Sequence, residues 1–526
     1  MTDLGRIIGA TSLNTYTFAI SKEGEENVRK NDFVSATEPI TGKEVIGIIK
    51  SITIRNQLLP DEFARESNQL DEFMEMYDFG EGEYLISRVD VLGYMGERGL
   101  DSLKYSLRPG SPVTLTNDDI LKKLMRVDEN KSIHVGCVES RPNVGVYLDI
   151  NKLVGMHSAI LAMTGSGKSY TTGVVIEELL NKGGAIVMFD PHGEYKNMVK
   201  SHDGLESDIS GKVRVFGIGK SAKKRLKVKA SGLSAEDFDA MMTPTMTDNM
   251  RELLAGVIEL CNVKGQYDIG DLLEVLSLMI ERSEGHDNGE ELTQNKKLDK
   301  GIEKLSKNTL SSTIKGLDRR LRGLQRRGLI SREETPLDEI IKPNQLSIID
   351  LSSTNEKVRE IIVSAISRKI FYARMSHINE YGGESLETPC LIGVEEAHNF
   401  IPAQNTESHV ISRSILRRIA REGRKFGVGL CLISQRPSRL DQDVLSQCNT
   451  QIIMKIINPL DQDFIRKSAE SVTEDIIQDL PALSRGEAII TGSAINFPMH
   501  VKIKQRRTKV GGSDIDIVGE WTKLGL

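Results

Sequence analysis

The chain has 526 residues, 39% of them hydrophobic, with 69 basic and 75 acidic side chains and a net charge of −6. At roughly 150 residues per domain this is material for three or four domains, in the ordinary globular balance rather than a disordered one. There is no apolar run near the roughly 20 residues of a bilayer span, no charged leader before a hydrophobic stretch at MTDLGRIIGATSLN, and no close-spaced pair among Cys137, Cys261, Cys390, Cys431 and Cys448. An integral membrane protein is thereby excluded, a disulfide framework and a CxxC zinc site find no support, and the chain is expected to be soluble, reduced and cytoplasmic.

Residues 1–135 read as β-rich. Tyr16, Phe18 and Ile20 alternate with Thr17 and Ala19, and apolar runs follow at Val45–Ile49, Ser51–Ile54, Tyr84–Ile86, Val89–Leu92 and Pro112–Leu115. Short strands with period-two alternation and Pro/Gly turns predict a small barrel or sandwich. Residues 61 to 83 hold nine acids and one arginine, which reads as an exposed acidic insertion.

From Ser158 the pattern becomes short apolar strands separated by helical segments: 158–163, 185–190, 213–218, 345–351, 390–395, 428–434 and 451–457. Such runs suit a parallel sheet covered on both faces. The polar stretch 220–340 interrupts them, and within it Leu310, Ile314, Leu317, Leu321 and Leu324 recur at helical spacing, so a helical subdomain inserted in an α/β core is expected.

The strongest chemical signal is Ala162-Met163-Thr164-Gly165-Ser166-Gly167-Lys168-Ser169, after one strand and before a helix predicted from Tyr170 to Leu180. Gly165 and Gly167 let backbone N–H groups approach phosphate oxygens, and the helix N-terminus adds a favourable dipole. Thr164, Gly165, Ser166, Gly167, Lys168, Ser169 and Tyr170 are therefore the candidate nucleotide-binding residues. Lys168 would neutralise the β- and γ-phosphates of ATP, and Ser169 would hold Mg²⁺. Ala162 stands where the pattern usually begins with glycine.

A nucleotide site also needs acids at the metal and at the attacking water. Glu395 and Glu396, ending the strand Leu391–Val394, supply both: Glu395 would reach Mg²⁺ through water and Glu396 would orient or deprotonate the lytic water. Gln435, just past strand 428–434, can contact the γ-phosphate. Asp190, His192 and Glu194 follow the second core strand, on the edge where open α/β sheets bind ligands. Residues 411–427 hold six basic side chains and one acid. Ile411, Ile415 and Ile419 form one stripe there, and Arg417, Arg421 and Arg424 lie on another face. Arginine offered to a γ-phosphate stabilises developing charge, and in ring ATPases it comes from the next subunit; Arg424 is the first candidate and Arg421 the second. A second basic group, Lys304, Lys307, Lys315, Arg319, Arg320, Arg322, Arg326 and Arg327, lies in the insertion against Asp318 alone, and reads either as a nucleic-acid surface or as a solvated or subunit-facing helix.

Across most of its length the chain resembles the HerA group of archaeal hexameric DNA translocases, within the FtsK/VirB4-like ATPases. The likeness rests on Ala162–Ser169, Phe189–Tyr195, Val394–Phe400 (VEEAHNF), Ile419–Gly427 (IAREGRKFG), Ile433–Pro437 (ISQRP) and Gly519-Glu520-Trp521. The resemblance implies an α/β fold with a RecA-like P-loop core over 136–219 and 341–503 and a HAS-type barrel over 1–135. It further implies a helical insertion over 220–340 and a tail, 504–526, packing on a neighbouring subunit. It also implies a homohexamer threading double-stranded DNA, a NurA-type nuclease partner, DNA end resection, no membrane, and a second arginine near the nucleotide, Arg141. A VirB4-like secretion or conjugation ATPase, or an ATP-gated scaffold for a nuclease or antiviral effector, would share the nucleotide motifs.

Overall fold

The structure is a computed structural model. It describes residues 3–56, 82–96, 99–125, 128–218, 222, 224–242, 244–263, 265–283, 296–403, 410–469, 471–511 and 517–523. The acidic stretch 61–83 lies, up to residue 81, outside the described residues. The chain divides into two compact units, Met1–Asp149 with Ser471–Lys504, and Ile150–Glu470 with Gln505–Leu526.

The first unit opens with β1 (Asp3–Ile8), β2 (Thr15–Ile20), β3 (Phe33–Thr37), β4 (Glu44–Asn56), β5 (Glu83–Gly96), β6 (Gly99–Asp101) and β7 (Pro112–Leu115). They pair in the order β2-β1-β7-β3-β4-β5, and β2 returns to β5, closing a six-stranded antiparallel barrel with β6 on its rim. Closure removes the edges that a short-stranded sheet would otherwise expose. Leu4, Ile7, Tyr16, Phe18, Val34, Val45, Ile49, Val89 and Val113 fill the interior, which is the reason for the alternation in the sequence. Where the sequence suggests two strands at 45–54 and two at 84–92, each pair is one long strand, bent at register shifts. Beyond the barrel come β8 (Ser132–Val138) and β9 (Arg141–Asp149).

The second unit holds β10 (Ser158–Leu161), β11 (Ala185–Asp190), β12 (Val213–Gly217), β13 (Lys224–Arg225), β14 (Val228–Lys229), β15 (Ile330–Ser331), β16 (Gln345–Asp350), β17 (Cys390–Glu395), β18 (Val428–Ser434) and β19 (Thr450–Ile453). Its core is a parallel sheet in the order β13-β12-β16-β11-β17-β18-β10-β19. Every residue of β10, β11, β17, β18 and β19 is buried, as a sheet covered on both faces requires. Helices Lys168–Asn181, Glu356–Asn379 and Arg413–Phe426 accompany it.

The insertion contains helices Asp248–Asn262, Ile269–Ser283, Lys296–Asn308 and Ser311–Gln325. Ile314, Leu317, Leu321 and Leu324 form the buried stripe, but Leu310 is 73% exposed because it precedes the helix instead of lying on its inner face. Ile411 likewise precedes the helix Arg413–Phe426, whose buried residues are Ile415, Leu416, Ile419, Ala420 and Gly423.

The last strands, β20 (Glu487–Gly492) and β21 (Met499–Ile503), form an antiparallel sheet in the order β20-β21-β8-β9. Residues 136–149 and 471–503 group with the first unit, where strands about 360 residues apart satisfy each other's backbone hydrogen bonds. Residues 505–511 lie on this chain's own phosphate-loop helix, where Thr508 N–H donates to the Glu177 carboxylate at 2.8 Å.

Candidate active site

Because the core strands run parallel, their carboxyl ends collect on one edge, the usual place for a ligand in an open α/β sheet. The register puts Leu161 beside Ser434, Ile433 beside Glu395 and Val394 beside Phe189. The loop after β10, the acids ending β17 and Gln435 after β18 thus meet at one level.

The loop Ala162–Gly167 turns through left-handed Gly165 and Gly167, at φ 81° and 105°. A side chain at either would strain that turn. The Ser166 hydroxyl closes it by donating to the Met163 carbonyl at 2.6 Å. The helix then starts at Lys168, two residues earlier than the sequence suggests, and its first N–H groups face the loop without intrahelical partners.

Lys168, Glu395 and Glu396 are all buried. The Lys168 ammonium pairs with Glu395 and lies 3.3 Å from Glu396 Oε1. Gln435 Nε2 donates to the same Glu396 oxygen at 2.7 Å, while Gln435 Oε1 accepts the Thr164 hydroxyl. The Ser169 hydroxyl donates to Glu194. Glu396 itself sits at φ 50°, a strained conformation for a non-glycine residue and one that recurs at functional sites. Lys168, Ser169, Thr164, Glu395, Glu396, Gln435 and Glu194 are therefore brought together.

Others have different surroundings. Asp190 is buried and accepts N–H groups of Gly193, Glu194 and Tyr195 at 2.8, 3.0 and 2.9 Å; it shapes the turn that presents Glu194. Burial raises its pKa despite those donors. His192 is exposed. The Tyr170 hydroxyl accepts the Arg506 N–H at 2.7 Å. Arg141 lies on β9 of the first unit, 2.7 Å from Asp32 and 3.3 Å from Asp118. Arg417 pairs with Asp443 at 2.8 Å and Arg421 lies 3.7 Å from it, whereas Arg424 is exposed and has no ion-pair partner among the described residues.

Three contributors are not among the candidates read from the sequence. The Tyr195 hydroxyl donates to Glu395 Oε2 at 2.6 Å. His398 Nδ1 lies 3.1 Å from Ser434 Oγ and 3.3 Å from Glu396 Oε2, and burial lowers its pKa against the pull of that carboxylate. Arg506 is buried against the phosphate-loop helix. Only VEEAHNF and the PHGEY turn hint at the first two, and neither string says what its His or Tyr touches.

The donor set fits a triphosphate with a hard divalent cation. The cradle of glycine-flanked amides and Lys168 suits phosphate oxygens, and the Ser169 hydroxyl with the Glu194 and Glu395 carboxylates offers the oxygen ligands that Mg²⁺ takes. Among the described residues no group of three or more His, Cys, Asp or Glu could hold a metal, so a cation here would need the nucleotide's own oxygens to complete its shell. Among the same residues no helix is long and apolar enough to cross a membrane.

Residues 133–370 match the family model described as Helicase HerA, central domain. The chain is 32% identical to the DNA double-strand break repair helicase HerA of Pyrococcus furiosus over 99% of this chain and 97% of that one. It is 31% identical to a probable DNA double-strand break repair helicase HerA of Methanocaldococcus jannaschii over 99% of each. The Saccharolobus solfataricus HerA matches at 28% over 91% of this chain and 89% of its own. With a phosphate loop, a strand-end acid pair and likeness running end to end, this chain belongs to the HerA helicase family of ATP-driven P-loop enzymes.

Proposed function

We propose that the chain is a homohexameric ATPase that moves along double-stranded DNA and works with a NurA-type nuclease in resecting DNA ends. The observation that carries this reading is the buried Lys168–Glu395–Glu396–Gln435 constellation in a chain that aligns end to end with double-strand break repair helicases.

In the present arrangement each site group is held by another. Binding of ATP would draw Lys168 from the two carboxylates to phosphate oxygens and free the Ser169 hydroxyl from Glu194. Ser169, Glu194 and, through water, Glu395 would hold Mg²⁺, which would supply charge neutralisation to the phosphates. Tyr195 holds Glu395, and Glu396, released by Lys168, orients the attacking water or takes its proton. Gln435, tied to both Thr164 and Glu396, contacts the γ-phosphate and relays its loss to the segment after β18. Arg424, exposed and without an ion-pair partner among the described residues, is the side chain available to a neighbouring subunit's phosphate, with Arg421 behind it and Arg141 a further candidate for the nucleotide. Hydrolysis releases the clamp between subunits, and their relative movement drives DNA. Contacts to the phosphate backbone suit a motor that must grip any sequence. The insertion supports such contacts: Lys315, Arg319 and Arg322, the last paired with Asp318, lie exposed at i, i+4 and i+7 of the helix Ser311–Gln325, with exposed Arg326 just past its end, in a chain of net charge −6.

The deciding experiment is the ATPase rate with and without blunt duplex DNA, alongside mass in solution. A ring whose turnover rises with duplex is expected. A monomer hydrolysing ATP at full rate and indifferent to DNA refutes the proposal. Nuclease stimulation that survives Lys168→Ala and Glu396→Gln would make the chain a scaffold instead of a motor.

A further inference from the structure

Among the described residues Arg506 is the largest side chain with no exposed surface. It arrives from the C-terminal strap Gln505–Gly511, 337 residues after the Ser169 it bonds. Its Nη1 donates to the Ser169 carbonyl at 2.9 Å, its Nε to Thr508 Oγ1 at 2.9 Å and its Nη2 to the Lys509 carbonyl at 3.1 Å. Its own N–H donates to the Tyr170 hydroxyl at 2.7 Å, and His202 Nε2 lies 2.8 Å from its carbonyl oxygen.

The helix is built to receive it. Gly173 sits mid-helix, where glycine is disfavoured, and a Cβ there would fall 2.4 Å from Arg506 Nε and 2.5 Å from its Cζ. One turn on, the Glu177 carboxylate, also without exposed surface, accepts Thr508 Oγ1 at 2.7 Å and Thr508 N–H at 2.8 Å. At the strap's far end Gly511 is packed so closely that a Cβ would lie 2.1 Å from the Glu194 carbonyl oxygen. Glu194 and Ser169 are the two groups whose side chains bond each other at the mouth of the site.

We propose that Arg506 is a positioning residue for the Mg²⁺–nucleotide site: through the Ser169 carbonyl and the Tyr170 hydroxyl it holds the start of the phosphate-loop helix so that Ser169 and Glu194 face the cation. The strap touches both of these metal-side residues from behind, so cation affinity depends on the C-terminus being seated. This rests on the ATP–Mg²⁺ reading of the same site. A purely structural staple would lower stability without a selective effect on the cation; a positioning residue weakens cation-dependent binding in protein that is still folded.

The test uses the full chain and the variants Arg506→Lys, Arg506→Met and Gly173→Ala, the last displacing the guanidinium while keeping its charge. Equilibrium binding of a fluorescent ADP analogue is measured with and without Mg²⁺, together with the Mg²⁺ half-saturation of ATPase and the amide hydrogen exchange of residues 168–173. Arg506→Met and Gly173→Ala are expected to raise Mg²⁺ half-saturation about tenfold, the usual scale for removing an outer-shell partner, and to speed exchange over 168–173. Binding without Mg²⁺ should change less than about twofold, and Arg506→Lys should recover part of the loss. Folded variants with wild-type Mg²⁺ half-saturation overturn the inference. If Arg506→Met does not fold, Gly173→Ala decides alone. A wild-type chain without Mg²⁺-dependent turnover refutes the ATPase reading itself, a separate outcome.

Discussion

Replacing Tyr195 by phenylalanine removes one oxygen and leaves the ring, so no cavity forms and the effect isolates one hydrogen bond. That bond runs from a fully buried phenol to fully buried Glu395 at 2.6 Å. A hydrogen bond to a charged acceptor contributes about 1.5–3 kcal/mol, and here the orphaned carboxylate oxygen has no route to water. Spread over a unit of about 340 residues, a loss of about 2 kcal/mol lowers Tm by about 3 °C. Glu395 is also deprived of the hydroxyl that aims it, so kcat should fall about tenfold with a smaller change in KM. Burial pushes the Tyr195 phenol well above its usual range. The folded pKa is thus raised, the bond is complete below the unfolded value of about 10, and it would be lost only at higher pH. The gap between wild type and variant should therefore be constant from about pH 6 to pH 9. Calorimetry and steady-state ATPase assays measure both quantities. Wild-type Tm and kcat in Tyr195→Phe would refute the claim that this hydroxyl holds the carboxylate.

Acid should destabilise the second unit through His157. Its Nδ1 accepts the Leu430 N–H at 3.0 Å and burial lowers its pKa to about 4. The folded pKa lies below the unfolded value of about 6.5, so about 3 kcal/mol present above that value is lost as pH falls to about 4. His157→Asn keeps an acceptor and tolerates the local φ of 57°; denaturant titrations over a pH series should show its acid limb flattened, and parallel limbs would exclude His157 as the cause. Arg424→Ala should bind nucleotide normally yet lose about 10³-fold in hydrolysis, the scale of an arginine supplied across an interface. Mixing it with Glu396→Gln subunits should restore part of the rate, since each variant provides what the other lacks, and no restoration would rule out action between subunits. Reversing charge at Lys315, Arg319 and Arg326 should leave the DNA-free ATPase unchanged and flatten the salt dependence of duplex binding by about 0.9 for each phosphate that is no longer neutralised. An unchanged slope would remove the insertion from the DNA path.

The phosphate loop, the acid pair and Gln435 could be read from the sequence because each is short, sits at a strand end and declares itself by residue type. Lys168, Glu395, Glu396 and Gln435 do converge. The barrel and the parallel core were legible for a similar reason, since alternation and continuous apolar runs record burial on one face or two. Periodicity failed at its ends: Leu310 and Ile411 continue the spacing of their stripes but precede their helices, because spacing does not mark where backbone hydrogen bonding begins.

Local pattern thus settled which residues can form a nucleotide loop and which faces must be hidden. Tertiary structure alone decided that β20 and β21 pair into the first unit, that Tyr195 secures Glu395 while His398 bonds Ser434 beside Glu396, and that Arg506 enters the groove left by Gly173. Those partners are set by backbone and side-chain groups that must find hydrogen bonds once buried. The chain can bring such groups together from hundreds of residues apart, a distance that no motif or periodicity spans.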